Sequence, residues 1–388
     1  MDINDLKSYF ESIFNTSSAN PYFSPGRINL IGEHTDYNGG FVLPCAITFG
    51  TFGLIRKRQD KKIRLYSLNF KEVGLIQLDL LHLEYNKNHS WANYVKGMIK
   101  YMSYKNLNIN LGFDILVYGN IPNGAGLSSS ASLEMLIGTM LKEEFSLNVD
   151  KKTVALTGKR VENEYIGVNS GIMDQFAVAF GKKNSAIMLD CNTLYYEYVD
   201  MDLKDNIIVI MNTNKRRELA DSKYNERKSQ CEKALLKLQS VIKINNLCDL
   251  TLEEFNKYKY VIKNPIEEKR ALHAISENER TKKATELLKG NDLKSFGVLM
   301  NQSHLSLRDN YEVTGKELDI LAESSWNQRG CLGARMTGAG FGGCAIAIVS
   351  KKDLDDFVEN VSNHYKKVIG YDASFYVASI GEGSTKIN

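Results

Sequence analysis

Residues 112–141 read GFDILVYGNIPNGAGLSSSASLEMLIGTML, and their order of strand, glycine turn and helix decides the fold class. GFDILVYG (112–119) has the period-two patterning of a strand and runs into the turn-forming NIPNGAG. Beyond the turn, Leu133, Leu136, Ile137, Met140 and Leu141 repeat at the spacing of an amphipathic helix. Gly124 and Gly126 let the backbone turn sharply and approach a ligand closely. Ser128, Ser129 and Ser130 add hydroxyls where the first helical turn leaves its N–H groups unpaired. Loop amides and the positive helix end act on the same charge, so this is an anion site, and phosphate is its commonest guest. A turn with serine caps accounts for one Gly and one Ser, but not for three successive serines after G-x-G. The Walker pattern G-x-x-x-x-G-K-[ST] is absent, so a nucleotide bound here sits in a fold other than that of the P-loop enzymes.

Upstream, RINLIGEHTDYNGG (27–40) gathers Arg27, Glu33, His34 and Asp36 behind a Pro-Gly turn and around a short apolar run. So many charged and hydrogen-bonding groups beside a half-buried segment call for a polar ligand. Downstream, TGAGFGG (337–343) satisfies G-x-G-x-x-G, yet a dinucleotide fingerprint needs a helix after the loop, and the apolar strand CAIAIV follows instead. Its glycines imply close backbone approach either to a ligand or to a neighbouring domain, two readings of equal weight.

Two carboxylates stand at element edges. Asp174, in GVNSGIMDQFAVAFG (167–181), reads locally as an N-terminal helix cap. Glu162 lies at the rim of a helix spanning KKTVALTGKRVENEYIG (151–167). That is where a surface acid sits, and also where a metal-binding carboxylate must sit.

The whole chain sets the limits. A length of 388 residues exceeds what one core serves, so two domains are expected. With 49 basic and 46 acidic residues the net charge is +3, which predicts neither a nucleic-acid nor a membrane partner. The basic run RKRQDKK (56–62) reads as a solvated face, and NKRRE (214–218) is left open between a solvated face and a polyanion contact. Six scattered cysteines show no C-x-x-C pair and no zinc spacing. The start MDINDLKSYFESIF reads as an amphipathic helix rather than a signal peptide, and no stretch approaches the ~18 apolar residues of a membrane span, so a cytoplasmic protein is expected. SAIMLDC (185–191), YEYVDM (196–201) and NIIVIMNT (206–213) read as strands, a Lys-rich helical stretch fills 222–327, and CAIAIVS and SFYVASI bracket a last helix. The composition changes near 200–215 with no Pro- or Ser-rich linker, giving two α+β domains, 1–205 and 206–388.

Taken in order, SPGRINLIGEHTDYNGGFVLP, GAGLSSSASLE and MTGAGFGGCAIAIV resemble the three motifs of the GHMP kinase superfamily, and the first is closely similar to the galactokinase signature. The likeness continues in WANYVKGMI (91–99), GIMDQF (171–176) and DSKYNERKSQCE (221–232); one departure is Ser24, where Ala is more usual before Pro-Gly-Arg. The resemblance implies an α+β fold with an N-terminal domain like the second domain of ribosomal protein S5, a C-terminal ferredoxin-like domain, and the active site in the cleft between them. It implies that Glu33, His34, Thr35, Asp36, Gly171, Asp174 and Tyr224 bind a sugar. The loop Gly124, Ala125, Gly126, Leu127, Ser128, Ser129 and Ser130 would wrap the phosphates of ATP, with Ser67 and Trp91 at the base. Ser130 and Glu162 match the Mg²⁺ ligands, and a hydroxyl plus one carboxylate, completed by phosphate and water, suits that ion.

The implied reaction is phosphorylation of α-D-galactose at O1 by ATP, opening galactose catabolism by the Leloir route, with Asp174 and Arg27 as catalytic residues. The partners expected are galactose and ATP alone, with the chain acting as a monomer. The alternatives are a kinase of N-acetylgalactosamine or another sugar, and a catalytically silent galactose- and ATP-binding sensor. The completeness of LSSSAS and MDQ speaks against the sensor.

Overall fold

The computed structural model describes residues 1–103, 108–122, 124–215 and 220–387. Asn123 of the glycine loop and residues 216–218 of the second basic run lie outside them.

The first half is built on a six-stranded sheet in the order Thr385–Lys386, Asn20–Asn29, Pro44–Lys57, Phe113–Gly119, Lys62–Ser67, Ile76–Asp79. Its pairs are antiparallel except that Lys62–Ser67 runs parallel to Phe113–Gly119. Helices Ala92–Ser103, Ser129–Glu144, Lys151–Arg160 and Met173–Phe180 bury Met98, Leu136, Met140 and Phe176 in one core against this sheet. The expected strand, loop and helix of 112–145 are present as Phe113–Gly119 and Ser129–Glu144. The basic run at 56–62 is more than a solvated face, because Arg56 and Arg58, together with Arg64, converge on the buried carboxylate of Asp114.

The second half carries a four-stranded antiparallel sheet, ordered Cys331–Thr337, Cys344–Ser350, Asn206–Asn212, Ser374–Ala378, covered on one side by helices. Apart from the edge strand Ser374–Ala378, where Val377 is exposed, both faces of this sheet are dry. Val209, Met211, Ala345, Ala347 and Val349 pack into the core of the second half. Ile208, Ile210, Cys344, Ile346 and Ile348 alternate to the other face and share a core with Ile28, Leu30, Leu43 and Leu127 of the first half. Burial on both faces explains why NIIVIM and CAIAIV are unbroken apolar runs. The chain then crosses back, since Ile380 bridges Ile47 and Thr385–Lys386 pairs with Tyr22 and Phe23, so the segment after about residue 379 belongs with the first sheet.

Three local expectations need correction. Cys331–Thr337 is a strand, which Gly333 and the charged Arg335 hid in the sequence, so TGAGFGG links two strands of a hairpin. The helix expected through 167 is α-helical only over Lys151–Arg160 and widens into a π-helical turn at Val161–Ile166, ended by Gly167 at φ +92°. Asp174 is no cap: helix Met173–Phe180 begins one residue before it, and its carboxylate turns away to other partners.

Candidate active site

Arg27 lies on the long edge of the first sheet, where the pairing of Asn20–Asn29 slips between Pro25 and Arg27. Gly26 allows the strand to touch the glycine loop there: a Cβ at 26 would stand 2.7 Å from the carbonyl oxygen of Leu127. The backbone N–H of Arg27 donates to that same oxygen at 3.2 Å. Its buried guanidinium then makes three bonds, Nη1 to the Gly126 carbonyl at 2.9 Å, and Nε and Nη2 to Asp174 Oδ1 and Oδ2 at 2.8 and 3.0 Å. Ser128, held at φ +62°, donates its hydroxyl to Asp174 Oδ2 at 2.5 Å. A carboxylate offers about four lone-pair sites. Three are filled, two of them on Oδ2, so the acceptor position still open is on Oδ1.

Ser130 Oγ donates to Glu162 Oε1 at 2.7 Å, and Ser170 Oγ donates to Glu162 Oε2 at 2.5 Å. Burial raises the Glu162 carboxyl above its ordinary range, against the pull of these two hydroxyls. π-Helical turns recur at functional positions, and this one carries Glu162 to Ser130 of the glycine loop.

These groups line a cavity of about 340 Å³. A second cavity of about 300 Å³, lined by Ser67, Phe70, Trp91 and Tyr94, adjoins it through Ile121, Ser129 and Ser130, which border both. Ser67 and Trp91 therefore stand on the far side of the loop serines from Asp174. Ala125 and Leu127 are buried in the core between the halves and anchor the loop, while Gly124 and Ser129 are exposed.

The larger cavity is also lined by Glu33, His34, Asp36, Gly171 and Tyr224. A Cβ at Gly171 would collide with the Asp36 carboxylate. Burial, with the Asp174 and Glu33 carboxylates nearby, lifts Asp36 to about 6. Burial likewise raises Glu33, opposed by Arg335 and Arg27. Burial lowers His34 to about 3, helped by the charge of His273, so its ring is neutral at ordinary pH. Thr35 is not brought into the cavity: its hydroxyl donates to the Gly32 and Phe41 carbonyls at 2.8 and 2.7 Å and holds the turn. The third glycine loop approaches the first half closely and also borders the cavity. Gly338 and Ala339 line the cavity, while the N–H of Gly338 donates to Glu33 Oε1 at 2.7 Å and that of Phe341 to the Val313 carbonyl at 2.7 Å.

Sequence reasoning missed several supporting residues. Arg335 is wholly buried and donates from Nη1 to the Asn29 carbonyl at 2.9 Å and to Glu33 at 3.4 Å; a lone arginine in an otherwise apolar strand was the available signal. Ser170 gave none. Tyr37 and Tyr311 form a row with His34, Oη to Nδ1 and Oη to Oη both at 2.8 Å.

Comparison with known proteins defines the class first. Residues 93–182 match the family model described as "GHMP kinases N terminal domain" and residues 284–367 match "GHMP kinases C terminal". Residues 8–57 match "Galactokinase galactose-binding signature". The chain is 59% identical over 387 residues to a galactokinase of Clostridium perfringens, covering 100% of both chains, and 56% identical to one of Streptococcus mutans, covering 98% and 97%. The crystal structure of Lactococcus lactis galactokinase complexed with galactose superimposes with a TM-score of 0.97 at 52% identity, covering 99% of this chain and 100% of that one. Methanococcus jannaschii mevalonate kinase shares the fold alone, with a TM-score of 0.67 at 19% identity over 94% of this chain and 99% of that one. The chain belongs to the galactokinase family.

Proposed function

We propose that this chain transfers the γ-phosphoryl group of ATP to the anomeric O1 hydroxyl of α-D-galactose. Family membership supplies the substrates, and the Arg27–Asp174–Ser128 clamp against the phosphate loop carries the chemistry. A hexose offers a ring of hydroxyls that both donate and accept, so fixed acceptors such as Glu33, Asp36 and Asp174 converging on one cavity suit it. The triphosphate runs from the cavity of Trp91 past Ser129 and Ser130, which border both spaces.

O1–H donates to the open site on Asp174 Oδ1, which orients O1 and takes its proton as O1 bonds to Pγ and the bond from Pγ to the β-phosphate oxygen breaks, releasing ADP. Arg27, held by three hydrogen bonds, fixes that carboxylate and places positive charge beside the developing charge. Phosphoryl transfer is loose, so positioning and charge neutralisation account for most of the acceleration.

Among the described residues lining the larger cavity Arg27 is the one Lys or Arg, facing Glu33, Asp36, Glu162 and Asp174. A triphosphate entering that field needs a cation, and no cage of three or more His, Cys, Asp or Glu occurs among the described residues. This fits Mg²⁺, which takes one or two protein ligands and fills the rest with phosphate and water. Ser130 and Glu162 would hold it, and when bound it neutralises phosphate charge. Incubation of the purified chain with Mg-ATP and galactose, followed by detection of galactose 1-phosphate, tests the proposal; ATP left intact, or a phosphate ester at another carbon, refutes it.

A further inference from the structure

Helix Ser129–Glu144 carries Glu134 one turn beyond the phosphate loop, fully buried. It faces Gln175, the residue after Asp174, whose Nε2 donates to Glu134 Oε2 at 3.0 Å. This contact leaves Glu134 Oε1 and Gln175 Oε1 buried with no partner among the described residues. Both are acceptors. An ionised carboxylate only accepts, so it relieves neither, and leaving a buried polar atom unpaired costs on the order of 1–3 kcal/mol. A proton on Glu134 Oε1, donated to Gln175 Oε1, closes a ring of two hydrogen bonds and satisfies both atoms together.

The surroundings act in the same direction. Burial above all, with the neighbouring Glu162 and Asp174 carboxyls, pushes the Glu134 carboxyl well above its ordinary range, against the pull of the Gln175 amide. The helix Lys151–Arg160 closes over the pair at Gly158, where a Cβ would stand 3.0 Å from both Glu134 Oε2 and Gln175 Cγ. The Gln175 side chain also stands close enough to Glu162 to help hold that carboxyl down.

We propose that Glu134 and Gln175 form a closed, neutral acid–amide pair beneath the phosphate loop, which fixes the Gln175 carboxamide against Glu162 and so positions the carboxylate that holds Mg²⁺. The metal role of Glu162 rests on the function proposed above; the pair itself does not. Glu134 is thus a positioning residue, and its variants separate by hydrogen-bond pattern. In Glu134→Gln the new amide presents the same donor and acceptor as a neutral acid, so kcat and the Mg²⁺ requirement stay within about twofold of the parent. Glu134→Leu abandons Gln175, and the Mg²⁺ requirement rises on the order of tenfold while the KM for galactose holds. Gln175→Glu sets two acids face to face and loses thermal stability as pH rises, because the native pair needs a proton that the unfolded chain releases. The swapped double variant Glu134→Gln/Gln175→Glu recovers that stability.

Infrared difference spectra between the parent and Glu134→Gln read the proton directly, without substrate: a protonated carboxyl C=O band disappears with the substitution. Loss of a carboxylate band instead, as for an ionised Glu134 solvated by trapped water, overturns the proposal. So does a Glu134→Gln enzyme as impaired as Glu134→Leu, or a swapped pair no more stable than Gln175→Glu alone. A chain inactive on galactose that still shows the protonated band would leave the pair standing and remove only the reaction.

Discussion

Asp174→Asn separates proton transfer from orientation at the reacting oxygen. The carboxamide keeps the carboxylate's shape, so the question is which contacts survive. With its oxygen in the place of Oδ1, the amide still accepts from Arg27 Nε and retains the open lone pair for the sugar hydroxyl. Its NH₂ then faces Arg27 Nη2, a donor against a donor, although Ser128 can rotate to accept. One charge-assisted hydrogen bond is lost, about 1.5–3 kcal/mol, from an arginine only 4% exposed, so the melting temperature falls. Sugar affinity changes by less than about tenfold, because the acceptor facing O1 remains. An amide cannot take the proton, and a positioned general base contributes about 10²–10⁴ in rate, or about 3–5 kcal/mol of barrier. Turnover by coupled ADP release should fall by at least about a hundredfold, while calorimetric titration with galactose shows near-parental binding. A kcat within about tenfold of the parent, in a variant that still binds galactose, would refute the base assignment and leave Asp174 an orienting group only.

The other expectations are narrower. Asp36, lifted to about 6 by burial and two neighbouring carboxylates, accepts best when ionised, so the KM for galactose should rise as pH falls through about 6 and flatten in Asp36→Asn. The native state holds this proton where an unfolded carboxyl with pKa 3.8 has lost it, so the group's contribution to stability declines as pH climbs from there to about 6; denaturation midpoints across that window check the sign. Gly171→Ala puts a methyl against the Asp36 carboxylate and should weaken galactose binding by at least tenfold, about 1.4 kcal/mol, with the KM for ATP unmoved. Ser24→Ala removes a buried hydroxyl whose oxygen has no partner among the described residues and should stabilise the fold by about 1 kcal/mol in urea unfolding. Glu162→Gln should raise the magnesium needed for half-maximal rate, and an unchanged titration would remove that residue from the metal site.

What the sequence disclosed was local. Gly124, Gly126 and the three serines announced a tight turn into a helix because turn chemistry and helix ends act within a few residues, and that turn and helix are where they were expected. Asp174 looked like a cap because the arginine that claims it lies 147 positions upstream, a distance no local pattern spans. Glu162 could be placed at a helix rim but not on a π-helical turn, since one extra residue in a turn depends on packing rather than on periodicity. Thr35 sits in the midst of the sugar motif and yet faces inward to two carbonyls; proximity in sequence did not fix which way its side chain turns. Arg335 reaches Glu33 across 302 positions, and only the packing of two sheets against one another reveals it.

The sheet face shared with the first half bears on how ligands come and go. A clamshell movement of the two halves would have to pull Ile208, Ile210 and Ile346 off Leu30 and Leu43 and flood a continuous oily seam with water at every turnover. At about 1.5–3 kcal/mol for each large side chain exposed, parting these five would cost roughly 7–15 kcal/mol. Entry and exit are left to the rim, where the exposed Gly124 takes a positive φ and short backbone excursions can open a path while the scaffold beneath stays shut.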